Sequence, residues 1–369
     1  VSDPLRIGIA GVHGHGRSHV EAALSLGDAV DLAAVADPRG PGEVPSTTRH
    51  FADAAAMIAD ESLDIVVLST PIPTHAELTI AALGRGSHVL LEKPPVPSVS
   101  DHHAVVDAAT ASARTVQVGF QSLGSDGVQA TVDAAASGVI GDVVHYGAVG
   151  LWSRSEEYWR RAPWAGHRVL DGRLVADGAV TNPLAHALMT ALAIAGAEHP
   201  DAVADVDLDL RRANDIAADD TSSLVVTLAD GRRIAAGLAV TAPRRHEPYV
   251  LVRGTRGHLV YHYTLDLLHV FRDGSALPRT YEFARRGLLA DLVAHASTGT
   301  PAAVPIARTG AFTGILEAVV SGPEPLPIAA SLITRVQHDA EWFRLVDGVG
   351  DAVERVAWEG RTFRGLGLL

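Results

Sequence analysis

Arg6-Ile7-Gly8-Ile9-Ala10-Gly11-Val12-His13-Gly14-His15-Gly16-Arg17-Ser18-His19 is the stretch that decides how this chain folds. Its first residues make a short apolar run closed by a glycine, the pattern of a buried strand, and Val20 to Leu26 continue with helical spacing. Gly11 permits a tight turn and Gly16 a close approach of helix to strand. The backbone N–H groups at the start of that helix then face a pyrophosphate. The middle glycine of the G-x-G-x-x-G pattern is His13, with Gly14 beside it. Gly11, His13, Gly14, His15 and Gly16 are therefore the candidate phosphate loop.

The next segments add the other parts of a dinucleotide site. Asp31-Leu32-Ala33-Ala34-Val35-Ala36-Asp37 reads as a second strand ending in an acid about 20 residues beyond the loop, where a carboxylate accepts hydrogen bonds from a ribose 2′-OH. Such an acid repels a 2′-phosphate and favours NAD, whereas Arg39 provides a cation for NADP. A third strand, Asp64 to Ser69, leads into Thr70-Pro71-Ile72-Pro73-Thr74-His75, and a helical stretch follows from Ala76 to Leu83. Ser87 to Leu91 is a fourth strand and Thr115 to Phe120 a fifth. Strands alternating with helical stretches predict a doubly wound parallel sheet.

The fourth strand ends at Glu92-Lys93-Pro94, and Lys93 is the only lysine in a chain whose Lys and Arg together number 30. An ammonium group shifts its pKa and exchanges a proton, which a guanidinium does not. Ligands of open α/β sheets bind at the carboxyl ends of strands, so Lys93 is predicted to face a cleft, and Pro94-Pro95 stiffens the backbone that carries it.

With these residues in place the chain resembles the Gfo/Idh/MocA oxidoreductases, the family of glucose-fructose oxidoreductase and inositol dehydrogenase. The resemblance is carried by the Gly11 to His19 loop, Thr70-Pro71 with Thr74-His75, His88-Val89-Leu90-Leu91-Glu92-Lys93-Pro94, Val118-Gly119-Phe120-Gln121, Asn182-Pro183-Leu184-Ala185-His186, and Arg308-Thr309 through Leu316-Glu317-Ala318. It implies a Rossmann domain over 1–121 and an α/β domain over 122–369 with a large, open, mostly antiparallel sheet, the C-terminal tail packing back on the first domain. It also implies that Lys93 and His186 stand beside the nicotinamide C4, and that Thr70, Pro71, His75, Glu92 and Gln121 border the cofactor. The family commonly has an aspartate where this chain has Asn182. An amide orients a neighbour but carries no charge, and Asn182 is expected as the N-cap with Pro183 following early in the helix.

The second half agrees with this independently. Val143 to Gly147, Ser222 to Leu228, Arg233 to Leu238 and His258 to Tyr263 read as strands, and Asp230-Gly231 marks a hairpin. Trp152 to Trp164 concentrates three of the five tryptophans with several arginines. From it Trp152, Arg154, Tyr158 and Trp164 are candidates to hold a sugar ring, since aromatic faces and hydrogen-bonding side chains suit one; the same mix suits a domain-interface loop. Asp219-Asp220 reads as a solvated turn before a strand. His13, His15 and His19 have ligand-like spacing, but with no carboxylate or cysteine cluster to complete the set, no metal is assigned.

Composition narrows the class. A formal net charge of −13 argues against nonspecific nucleic-acid or anionic-membrane binding, and there is no cysteine for disulfide or thiolate chemistry. No apolar run approaches the roughly 20 residues of a membrane span. The expectation is a cytoplasmic NAD(P)-dependent dehydrogenase or reductase of a sugar, cyclitol or related polyol, forming a homodimer or homotetramer through the open face of the second sheet. Two alternatives remain open: a glycosidase or lyase that cycles bound NAD, and a ligand-sensing regulator that keeps the fold without catalysis.

Overall fold

The computed structural model describes residues 3–369, in two compact units. The first runs to Gly124 and takes in Arg286–Thr309; the second is Ser125–Arg285 with Gly310–Leu369.

The first unit is built on a six-stranded parallel sheet of β1 (Leu5–Ala10), β2 (Val30–Ala36), β3 (Arg49–Phe51), β4 (Ile65–Leu68), β5 (His88–Leu91) and β6 (Val116–Val118), in the order β3-β2-β1-β4-β5-β6. Every residue of β4 is buried, as in a parallel sheet covered on both faces. The helices α1 (Gly16–Ser25), α2 (Ala54–Asp60), α3 (His75–Gly84) and α4 (Val99–Ser112) make the crossovers. The order reverses between β1 and β4, and the loop after β1 lies at this switch point, where dinucleotides bind. Edge strand β3 is exposed and only three residues long, too short to register as an apolar run.

In the second unit α5 (Asp126–Ala136) precedes β7 (Val143–Ser153), followed by the two-residue ribbon β8 (Val169–Leu170) and β9 (Arg173–Leu174) and by α6 (Ala185–Ala195). The strands β10 (Val203–Arg212), β11 (Thr221–Leu228), β12 (Arg233–Ala239), β13 (Thr241–Gly254), β14 (Gly257–His262), β15 (Leu267–Arg272) and β16 (Arg279–Glu282) come next. The chain then adds α7 (Leu288–Thr298) to the first unit. There the Gln117 amide donates to the Leu288 carbonyl at 2.6 Å and the Val304 N–H donates to Gln117 Oε1 at 3.1 Å. It returns as α8 (Gly310–Ser321), β17 (Leu326–Pro327), the hairpin β18 (Ile333–His338) and β19 (Glu341–Val346), α9 (Val349–Glu359) and α10 (Phe363–Leu366). Nine strands form one sheet in the order β16-β15-β14-β13-β7-β12-β11-β10-β17. It is antiparallel except where β12 runs parallel to β7 and β17 to β10.

The C-terminal tail belongs to the second unit: Phe363 N–H donates to Ser223 Oγ at 2.8 Å and Arg364 N–H to Asp209 Oδ2 at 2.6 Å. Helix α9 lies across β7, β12 and β13 of the large sheet. Val349, Val353, Val356 and Ala357 are fully buried, in one cluster with Val149, Ala235, Leu251 and Phe363. Gly237 and Gly147 let the helix approach, since a Cβ on either would stand 2.5 Å from the Val353 carbonyl oxygen or 2.8 Å from that of Ala357. Burying each valine contributes roughly 1.5–3 kcal/mol of transfer free energy.

Candidate functional site

In the first unit β1 delivers Gly11 with φ +81°, where a Cβ would fall 2.2 Å from the Ser69 carbonyl oxygen; at Gly16 it would fall 1.7 Å from that of Gly11. Only glycine fits at either position, and the loop therefore lies tight against the end of β4. Among the described residues the amides of His13, Gly14 and His15 donate to no protein group, while those of Gly16, Arg17 and Ser18 turn back onto the His13, Gly14 and His15 carbonyls. Three unsatisfied N–H groups at the start of α1 are the donors a pyrophosphate needs, so the loop fits a dinucleotide.

Asp37, directly after β2, is buried. Its Oδ2 accepts from the Val12 N–H at 3.1 Å and its Oδ1 from the Arg39 N–H at 3.0 Å, and the Arg39 guanidinium reaches both oxygens. Burial pushes this carboxyl up, but the Arg39 and Val12 hydrogen bonds outweigh it and leave the pKa below its ordinary value. The acid is thus in place to hold the loop, with Arg39 already on it. His13 Nε2 stands 4.0 Å from Asp37 Oδ1, beyond hydrogen-bond reach.

His75 is a clamp. It is 1% exposed, with Nδ1 facing the Pro94 and Pro95 carbonyls at 3.1 and 3.0 Å and Nε2 facing the Thr70 carbonyl at 2.8 Å. It ties the Thr70-Pro71 turn after β4 to the proline pair after β5, and burial lowers its pKa against the pull of the three carbonyls. The Thr74 hydroxyl adds bonds to Thr70 Oγ1 and the Pro71 carbonyl, both at 2.8 Å. Lys93 is half-buried at the carboxyl end of β5, and its backbone N–H donates to Glu92 Oε2 at 3.0 Å. Glu92 Oε1 lies 2.8 Å from His19 Nε2 and 3.3 Å from His15 Nε2. Burial pushes the Glu92 carboxyl up, but bonds from the two imidazoles hold it far below the usual range, and the same contact raises His15. The carboxylate missing from the sequence reading of the histidines is therefore Glu92. Gln121 is exposed, directly after the bend at Gly119 and Phe120.

In the second unit His186 is half-buried in the first turn of α6. The N-cap is Leu184, without a side-chain cap, so the capping role expected of Asn182 is not observed. The Asn182 amide donates instead to Asp177 Oδ1 at 2.6 Å. Asp177 is fully buried; it takes a two-pronged bond from Arg161 at 2.8 and 2.9 Å and accepts the Gly166 N–H at 2.9 Å. The Arg161 guanidinium lies 3.7 Å from the Tyr158 ring centroid and 4.6 Å from that of Trp164, while Arg154 lies 5.1 Å from both Trp152 and Tyr158. The structure thus joins Asn182, Tyr158 and Trp164 through Arg161 and Asp177, which the sequence reading did not single out. Asp177 stands five residues before Asn182, the only hint the sequence carried.

Asp219 and Asp220 are 2% and 0% exposed, which corrects the reading of a solvated turn. Asp219 accepts from the Val180 N–H at 3.2 Å and the Ser222 hydroxyl at 2.9 Å; Asp220 accepts from the Ala213 and Asn214 N–H groups. They pin the loop before α6 and the end of β10 onto the start of β11. Burial pushes Asp219 up to about 6.

Comparison with known proteins then settles the family. Residues 5–120 match an oxidoreductase family with an NAD-binding Rossmann fold, Gfo/Idh/MocA, and residues 128–260 match the Gfo/Idh/MocA C-terminal domain. The chain belongs to this family. The Gfo/Idh/MocA relatives include an inositol 2-dehydrogenase from Rubrobacter xylanophilus, 34% identical over 145 residues, covering 38% of this chain and 42% of the relative. A glycosyl hydrolase family 109 protein from a Shewanella species is 24% identical over 294 residues, 69% of this chain and 62% of the relative. The matches thus span less than two thirds of these curated relatives' length. Among solved structures, the WlbA dehydrogenase from Bordetella pertussis in complex with NADH and UDP-GlcNAcA superimposes with a TM-score of 0.71 at 21% identity, over 88% of this chain and all of that one. That likeness shows the shared fold.

Proposed function

We propose that this chain is an NAD-dependent dehydrogenase or reductase moving a hydride between nicotinamide C4 and a carbon bearing a secondary hydroxyl in a sugar, cyclitol or related polyol. The observation that carries the proposal is the only ammonium side chain, Lys93, at the end of β5, beside the carboxylate that two loop histidines contact, in a domain whose helix start offers free amides. NAD, when bound, supplies the hydride acceptor or donor. With the hydride so provided for, the chain itself must take the hydroxyl proton on a base and offer a donor to the oxyanion that develops. Lys93 and His186 divide these tasks. Asn182 is a positioning residue whose missing charge is carried one bond further back, by Asp177. Trp152, Arg154, Tyr158 and Trp164 supply ring faces and donors for a polyol.

A screen of sugars and cyclitols with NAD, read as NADH formation, tests the proposal, and oxidation of at least one is expected. The Shewanella relative makes one other outcome specific. Glycoside cleavage without net NADH, by protein that releases NAD only on denaturation, would replace this reading with the cycling mechanism. Saturable sugar binding without either reaction would replace it with the regulator.

The absence of cysteine suits a reducing cytoplasm, and no helix among the described residues is long and apolar enough to cross a membrane. We further propose a homodimer or homotetramer. With α9 covering β7, β12 and β13, the surface that supports assembly is the half-exposed row His258, Val260 and His262 on β14 with His269 and Phe271 on β15. Light scattering should report a mass of two or four chains at micromolar concentration; a monomer would overturn this.

A further inference from the structure

We propose that His15, His19 and Glu92 form a site for a divalent transition-metal ion, with Zn2+ as the fitting ion, and that metal and NAD exclude each other there. His15 and His19 are one helical turn apart and present their Nε2 atoms to the same carboxylate oxygen, Glu92 Oε1. The three ligand atoms lie within 4.8 Å of one another. Zinc holds imidazole nitrogen at about 2.0–2.1 Å and carboxylate oxygen at about 2.0–2.2 Å, so ligand atoms around one tetrahedral ion stand roughly 3.4 Å apart, close to the 3.3 Å between His15 Nε2 and Glu92 Oε1. The His19–Glu92 contact, at 2.8 Å, opens by roughly half an ångström to take the ion, and His15, whose side chain is 52% exposed, is free to swing in, while those of His19 and Glu92, at 12% and 7%, are largely held.

Glu92 is aimed by its surroundings. Oε2 accepts the Lys93 N–H, which leaves Oε1 for the histidines. Its carboxylate fills the space beside Gly119, where a Cβ would stand 2.8 Å from Oε1. Two imidazoles and one carboxylate are the protein ligand set of an open zinc site, with the fourth position left to water on the exposed side of His15. Nitrogen and oxygen donors without a thiolate suit Zn2+ over softer ions and over Mg2+ or Ca2+, which prefer all-oxygen sets.

Exclusion follows from the loop. The His13, Gly14 and His15 amides donate to no protein group and are the ones a pyrophosphate would take, so an ion that fixes the His15 ring and its backbone on Glu92 competes with the settling of that loop around the cofactor. The metal would be an inhibitor, and its removal a means of activation.

The test uses the untagged full chain after chelator treatment, titrated with Zn2+ by calorimetry with and without saturating NAD. One Zn2+ per chain is expected, with affinity lowered at least tenfold by NAD, and by at least the same factor in His15→Ala and in Glu92→Gln. His13→Ala, outside the cluster, should bind Zn2+ as the natural chain does. Because His15 is at the surface, His15→Ala should keep its thermal transition and remain informative even if Glu92→Gln does not fold. Zn2+ binding undiminished in His15→Ala, affinity indifferent to NAD, or no stoichiometric binding would each overturn the proposal.

Discussion

At the scale of single residues, the carboxylates of the site are defined by their partners more than by their exposure. Asp37 is occupied by Val12 and Arg39, so a ribose must share it or displace the guanidinium. Asp37→Ala is expected to weaken NAD more than NADP, since it removes the acid and frees Arg39 for a 2′-phosphate. Fluorescence titration with both nucleotides checks this, and an unchanged affinity ratio would take Asp37 out of the cofactor site. Asp177 is a stronger case, because its loss strands Arg161, whose side chain is only 26% exposed, and leaves Asn182 without its acceptor. Asp177→Ala should cost about 3 kcal/mol, typical of breaking one side of a buried pair, measured by denaturant unfolding. A loss below about 1 kcal/mol, the level of an exposed ion pair, would show that this network does not hold the loop. Lys93 and Glu92 were legible because their chemistry is local to one phrase. Asp177 was not, since its meaning lies in Arg161 and Asn182, which only the fold brings to it.

Among the elements, the parallel strands were legible and the caps and pins were not. Ile65-Val66-Val67-Leu68 is apolar throughout because both faces of its sheet are covered, which a one-dimensional reading detects. Asp219 and Asp220 carry the polarity of a turn yet are buried, their solvation replaced by amides from segments that the sequence does not show to be neighbours. Helix α9 shows the converse. Val349, Val353, Val356 and Ala357 have the spacing of one helical face, a signal available in the sequence, whereas the sheet it covers is revealed only by packing. The buried pin has a pH signature. With its pKa pushed from 3.8 up to about 6, folded Asp219 holds its proton more tightly than the unfolded chain does. Its contribution is therefore full below about 3.8 and is lost as pH rises through about 6. Asp219→Asn keeps an acceptor for Val180 and Ser222, so its stability relative to the natural chain should improve across that window. A difference between the two chains that stays flat from about pH 4 to 6 would contradict the assignment.

For the whole molecule, the division of the chain was only partly legible. The change of pattern near Gln121 marks the end of the first sheet, but the return of Arg286–Thr309 to the first unit rests on Gln117 bonding to Leu288 and Val304, contacts between segments far apart in sequence. The family, the fold and the NAD-binding domain are secure from both sequence and structure; the reaction is the central claim and rests on Lys93. The measurement that tests it most directly is hydride transfer by Lys93→Met, with the sugar or cyclitol found in the screen, alongside nucleotide binding by the same variant. Methionine keeps much of the apolar stem and removes the ammonium, so NAD affinity should stay near that of the natural chain while NADH formation falls by roughly 10²-fold or more. Turnover at the natural rate by Lys93→Met would contradict the catalytic role of the chain's only lysine.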